Sequence, residues 1–200
     1  MIGESFVKLL RKEEDKQSGA ETRLKGRMAE SLVCDLLREA GNEVFQIGYE
    51  RVLPPHIERI FEKHSGVGNK VRSIPDFFVV NERNVPYLVE VKFRWHPKGH
   101  PRDTERLKQL AELWPEVIVA VINCSERPFF RFSKAPFINS SGEIASRPLA
   151  DFLPLRVTEN MTEPYEKLVA KYLSPTLLHP VPKTSSIFEH SMQYLDRRKR

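Results

Sequence analysis

A short set of charged residues on two strand-like segments carries the chemistry in this sequence. Asp76 opens residues 76–80 (DFFVV), and Glu90 and Lys92 lie within residues 87–93 (YLVEVKF). Side chains alternate across a strand, so Leu88, Glu90 and Lys92 share one face while Val89, Val91 and Phe93 share the other. Two opposite charges therefore sit side by side in an apolar strand, a costly arrangement to bury unless they pair or hold a cation. Residues 81–86 are short enough for a hairpin, and antiparallel pairing can bring Asp76 and Glu90 close enough to share one ion. Two convergent carboxylates, a main-chain carbonyl and waters form an all-oxygen environment suited to Mg²⁺ or Mn²⁺. Such an ion polarises a phosphodiester and lowers the pKa of a bound water. Lys92 beside it can position the attacking water or help deprotonate it, and can offset negative charge in the transition state. The competing reading is an ordinary Glu90–Lys92 pair on a solvated sheet face, with Asp76 a turn residue after Pro75.

These residues need elements to hold them. Residues 22–40 predict a helix, with Met28, Leu32, Val33, Leu36, Leu37 and Ala40 at helical spacing and Gly41 as its stop. At about 100° per residue Glu30 falls at the edge of the apolar arc, near Gly26, Val33 and Leu37, where a carboxylate can look into the sheet and bind metal directly or through water. A strand follows over 43–48, then a stretch over 51–72 with a short amphipathic helix around Ile57, Ile60 and Phe61 and a mobile loop at 65–69 (SGVGN). Beyond the 76–93 hairpin, a helix is expected over 103–114 with Asp103 as N-cap and Pro115 as terminator. Residues 116–123 (EVIVAVIN) read as a strand covered on both faces. Another strand over 129–133, a loop at 140–142 and a helix over 163–173 follow. A Pro-rich linker over 174–182 and an amphipathic piece over 187–195 precede a basic tail.

Ile74-Pro75-Asp76, then Glu90-Val91-Lys92, after a helix bearing Glu30, resemble the PD-(D/E)XK nuclease superfamily. The helix–three strands–helix–strand order is similar to its restriction-endonuclease-like αβββαβ core, over roughly residues 22–123. The resemblance implies a mixed α/β fold and a divalent-metal phosphodiesterase. It makes Asp76 and Glu90 metal ligands, the Val91 carbonyl a further ligand, Lys92 the catalytic lysine and Glu30 the acid of the first helix. The compact form is most similar to Holliday-junction-resolvase-like members. One departure concerns the RecB-like branch, which carries Gln followed four positions later by Tyr; here Gln109 is followed by Leu113.

The chain has 200 residues, 40% of them hydrophobic, enough for one substantial core with appendages. The expected organisation is an N-terminal helical extension over 1–20, a nuclease-like core over 21–135 and a C-terminal extension over 136–200. No apolar run approaches the roughly 20 residues of a membrane span, and the acidic start does not read as a signal peptide, so an intracellular protein is expected. Cys34 and Cys124 read as free buried thiols. A net charge of +5 is compatible with nucleic acid binding. Lys70, Arg72, Arg94, His96, Lys98 and Arg102 are the residues expected to contact a DNA backbone. His96 and His100 do not make a zinc site, because Pro97 and Gly99 break the helix that their spacing would need. The glycines around residue 68 lack the spacing of a phosphate loop. The functional expectation is a Mg²⁺- or Mn²⁺-dependent DNA endonuclease acting in repair, recombination or defence. The alternative is a nuclease-fold module that binds nucleic acid without cutting it. A homodimer is a further expectation, with the 163–173 and 187–195 stripes as interface elements.

Overall fold

The structure, a computed structural model, describes residues 2–49, 65–94, 101–140 and 142–173, with side chains described over 20–49, 66–94, 104–140 and 142–173. Residues 57–61, 96–100, 174–182 and 187–195, with the readings placed on them, lie outside these ranges.

The first helix, α1, runs unbroken over Ile2–Glu39. An N-terminal helical extension was expected over 1–20 ahead of a core helix from about Thr22; the residues leading into that helix contain no proline and are rich in Leu, Lys, Glu and Arg, good helix formers. The helix ends as its sequence predicts. Gly41 adopts φ +84°, its N–H donates to the Arg38 carbonyl at 2.9 Å, and the Asn42 N–H donates to that of Leu37 at 3.2 Å. This is the Schellman arrangement, which requires a left-handed residue where glycine stands. Buried Asn42 extends the cap: its Nδ2 donates to the carbonyls of Leu37 and of distant Leu155, at 2.9 and 2.8 Å.

A six-stranded sheet follows in sequential order: β1 (Glu43–Gln46), β2 (Phe77–Val80), β3 (Pro86–Arg94), β4 (Ile118–Asn123), β5 (Phe130–Ser133) and β6 (Arg147–Pro148). All neighbours are antiparallel except β3 and β4, which run parallel. A parallel pair needs a crossover, supplied by α3 (Pro101–Leu113). α2 (Ser65–Arg72) lies between β1 and β2, and α4 (Glu159–Tyr172) closes the described chain, capped by the Thr158 side chain. The fold is mixed α/β, with a mostly antiparallel sheet and four helices among the described residues.

Alternation along the strands divides the core. Val44, Phe77, Val79, Val89, Val91, Ile118 and Ala120 face α1 and α4 in one apolar cluster. Leu88, Val119 and Val121 face Leu107 and Leu110 of α3 in the other. β4 is covered on both faces, as its unbroken apolar run requires. Cys34 and Cys124 are buried and form no disulfide among the described residues. No helix among the described residues is long and apolar enough to cross a membrane.

Three boundaries differ from expectation. Residues 65–69, read as a loop from Gly66 and Gly68, belong to α2. Tertiary bonds outweigh their low propensity: Trp114 Nε1 donates to Ser73 Oγ at 3.2 Å, and that hydroxyl donates to the Lys70 carbonyl at 2.8 Å. Asp103 is not an N-cap, because α3 begins two residues earlier on Pro101, whose missing N–H and fixed φ suit a first turn. α4 starts at Glu159 rather than near residue 163, since Thr158 caps it.

The hairpin that sets the register of β2 against β3 turns on Asn81. Its Oδ1 accepts from the N–H groups of Arg83 and Val85 at 2.9 and 3.0 Å, and its Nδ2 donates to the Pro154 carbonyl at 3.1 Å. Asn81 is buried. Asn81→Ala strands three polar groups and should cost about 1–3 kcal/mol of unfolding free energy in urea with an unchanged m-value. A variant as stable as the parent would show that the turn holds without that side chain.

Candidate active site

β2 stops one residue short of Asp76, whereas β3 continues past the point where β2 has ended. The register places Phe77 opposite Val89, so Asp76 comes level with Glu90. Asp76 is fixed from both sides at that step. Its carbonyl accepts from the N–H groups of Ile47 and Gly48, at 3.0 and 3.3 Å, at the end of β1. Its carboxylate Oδ2 accepts from the Val91 N–H at 2.7 Å. A side chain thus replaces the main-chain partner that β2 would have supplied to β3. The N–H and C=O of one strand residue point to the same side, so the Val91 carbonyl also faces the space that β2 leaves.

Glu90 and Lys92 stand on the α3 face of the sheet, opposite Val119 and Val121 across the parallel pair. Lys92 Nζ is hydrogen-bonded and ion-paired to Glu90 Oε1. The side chains are 26% and 13% exposed for Lys92 and Glu90, so the pair is largely withdrawn from water rather than laid on a solvated face. Asp76, Glu90, Lys92 and Glu30 line a single cavity of about 490 Å³. Burial pushes the Asp76 carboxyl from an ordinary 3.8 up to about 8, and the charges of Glu90 and Glu30 push it the same way; the Val91 N–H and Lys92 oppose them. Burial is the largest of these effects, ahead of the neighbouring carboxylates.

Crowded, partly desolvated carboxylates of this kind are relieved by a divalent cation. Among the described residues no three His, Cys, Asp or Glu side chains are grouped to hold an ion together. The donor set on offer is the Asp76 and Glu90 carboxylates with the Val91 carbonyl, completed by water. All-oxygen, water-rich coordination is what Mg²⁺ and Mn²⁺ accept. Glu30 shares the cavity and reaches Asp76 through its field.

The expected backbone-contact residues divide. Arg72 lines the cavity, with Nη2 donating to Asn69 Oδ1 at 3.0 Å. Lys70 is exposed on α2, and Arg94 folds back to donate from Nη1 to the Phe93 carbonyl at 3.1 Å. His96, Lys98 and the Arg102 side chain lie outside the described residues. Arg106, Gln109 and Tyr49 line the same cavity and were not anticipated. The helical periodicity of α3 places Arg106 and Gln109 beside Leu107 and Leu110, a signal legible in the sequence. Nothing in the sequence places Tyr49 there, because it enters through the end of β1. The sequence matches no protein-family model and no curated protein.

The raised Asp76 pKa makes a prediction about the metal-free fold. Between about 4 and about 8 the folded state binds more protons at Asp76 than the unfolded chain does. The contribution of this group is therefore greatest at low pH and is lost as pH rises through about 8. Asp76→Asn removes it while keeping an acceptor for Val91. In EDTA, the variant should match or exceed the parent in urea midpoint, with its advantage growing from pH 5 to pH 9. A constant or shrinking difference would contradict the assigned direction.

Proposed function

We propose that this chain is a Mg²⁺- or Mn²⁺-dependent DNA endonuclease of the PD-(D/E)XK kind, hydrolysing phosphodiester bonds in repair, recombination or defence. The observation that carries the reading is the convergence of Asp76 with Glu90 and Lys92 at the end of β2 away from the turn, where β3 runs on past it, sealed by the Oδ2 bond to Val91. A chance Pro-Asp and Glu-x-Lys would have no reason to share a cavity. The order α1, β1, β2, β3, α3, β4, with β3 and β4 parallel around a helical crossover, supports a restriction-endonuclease-like core. DNA as the substrate rests on the family likeness together with the basic residues Arg72 and Arg106 at the cavity.

Asp76, Glu90 and the Val91 carbonyl would hold the ion, with Glu30 acting directly or through water. Once bound, it supplies Lewis-acid polarisation of the phosphodiester and an acidified water. The chain's own residues orient the rest. The Val91 N–H fixes one Asp76 oxygen. Lys92 keeps its ammonium at Glu90 with two further N–H donors available, enough to hold a water or a non-bridging phosphate oxygen in place. Water adds to phosphorus, one P–O ester bond breaks, and the proton from the water ends on the leaving oxygen or in solvent.

Asp76→Ala and Lys92→Ala should each lower cleavage of plasmid DNA by about 10³-fold or more while the circular dichroism spectrum is kept. Lys92→Arg should not restore it, since a planar fork cannot replace a compact ammonium. EDTA should stop the reaction, and Ca²⁺ should support binding better than turnover. Unchanged cleavage in either alanine variant, or turnover without divalent metal, would defeat the proposal. Binding of DNA without any turnover in Mg²⁺ or Mn²⁺ would instead favour a non-cutting binding module.

A further inference from the structure

We infer that the site acts on unpaired DNA, a single strand or a flap, and not on a continuous duplex; this rests on the nuclease reading above and deepens it. The first reason is room. The carboxylates line a cavity of about 490 Å³, within the roughly 300–1,000 Å³ of pockets that enclose small ligands. Proteins that read duplex DNA instead spread about 1,000–2,500 Å² of open surface along it. α1, the end of β1, α2 and α3 all contribute to the cavity lining. The α2 wall is bolted in place: Trp114, just past the end of α3, donates to Ser73, just past the end of α2. Walls on these sides suit an unpaired nucleotide better than a paired backbone, the same solution used by enzymes that act on extruded bases.

The second reason is the chemistry of the walls. Tyr49 lines the cavity from the end of β1, half-buried. An aromatic ring beside a cleavage centre is a stacking platform for a base, and stacking tolerates any sequence. Arg72 lines the cavity from α2, its guanidinium aimed by Asn69 with one of five donors engaged. Arg106 lines it from α3, exposed, with no hydrogen bond or ion pair among the described residues. Two guanidiniums on separate helices, in the same lining as Lys92, suit successive phosphates of one strand. The structure thus assigns Tyr49 to base stacking and Arg72 and Arg106 to the phosphates that flank the cut.

The test uses the full chain with Mg²⁺ or Mn²⁺ and one mixed-sequence fluorescein-labelled DNA strand. That strand is presented free, annealed along its whole length, or as an unpaired flap on a duplex; single-stranded RNA of the same sequence is the fourth substrate. Free strand and flap should be cut at least about tenfold faster than the paired strand. Tyr49→Ala should lower kcat/KM on the free strand by about tenfold, with Tyr49→Phe retaining it. Arg106→Ala, a change at an exposed position, should weaken free-strand binding in Ca²⁺ and reduce the salt slope by about 1. Equal or faster cutting of the paired strand overturns this inference and leaves the nuclease reading standing. Cutting confined to RNA overturns it too. No cutting of any substrate overturns the nuclease reading, and anisotropy in Ca²⁺ then decides the inference: tighter binding of the free strand supports it, and equal or tighter binding of the duplex overturns it.

Discussion

The arrangement depends on how one carboxylate is held. Asp76 sits between β1 and β3, its carbonyl bonded to Ile47 and Gly48 and its Oδ2 to Val91. The Ile47 bond continues the main-chain pairing of β1 with β2, while the Val91 bond replaces one that a continuing β2 would have made with β3. A strand that stops early normally leaves unpaired N–H groups, which cost free energy when buried. Here the side chain of the stopping residue satisfies one of them. The same act aims the carboxylate at the position level with Glu90 and opens a space beside the Val91 carbonyl. Terminating the strand and constructing the site are a single structural event, so the acid at this step has to be short. A glutamate would carry its carboxylate one carbon too far to reach Val91 from the same main-chain position.

The two-faced packing of the sheet makes that event sturdy. Val89 and Val91 bury toward α1 while Leu88 joins the cluster under α3, so β3 cannot slip by one residue without exposing one set and burying charges on the α1 side. Parallel pairing with β4 anchors β3 along its whole second half, from Val89 to Arg94, well beyond the end of β2. Lys92 and Glu90 therefore project from a strand held by its neighbour even where its other edge is open.

Much of this was legible in the residues, for reasons that can be named. Strand alternation in residues 87–93 separates Glu90 and Lys92 from Val89 and Val91 whatever surrounds them. Gly41 fixes the end of α1 because only a left-handed residue completes that cap. The unbroken apolar run of β4 required cover on both faces. What escaped was tertiary. Residues 65–69 carry glycines that read as a loop, and they are helical because Ser73 and Trp114 clamp the turn that follows. The helical extension over 1–20 and the core helix are one unbroken rod, α1, back to Ile2. Tyr49 enters the site only through the path of the chain leaving β1, which no local pattern encodes. Arg106 could have been found, since it lies one residue from Leu107 on a helix whose buried face was correctly placed, but helix arginines are ordinary until a cavity gives them a direction.

The misreading of α2 bears most on function. A mobile loop over residues 65–69 would yield to an incoming duplex, and substrate shape would then say little about the site. A helix clamped to the residue after α3 is a wall, and a wall selects. Its burial of Gly68 and its bond from Arg72 to Asn69 show why this short helix persists despite two glycines. The side chains it contributes to the cavity, Asn69 and Arg72, come from its last turn, where the helix is clamped most firmly. Arg72 is therefore presented with little freedom, and a guanidinium that is already ordered loses less entropy on meeting a phosphate than one at the tip of a loop. Order on that wall and a held carboxylate opposite it bound the cavity from two sides, which is the basis of the proposed preference for an unpaired nucleotide.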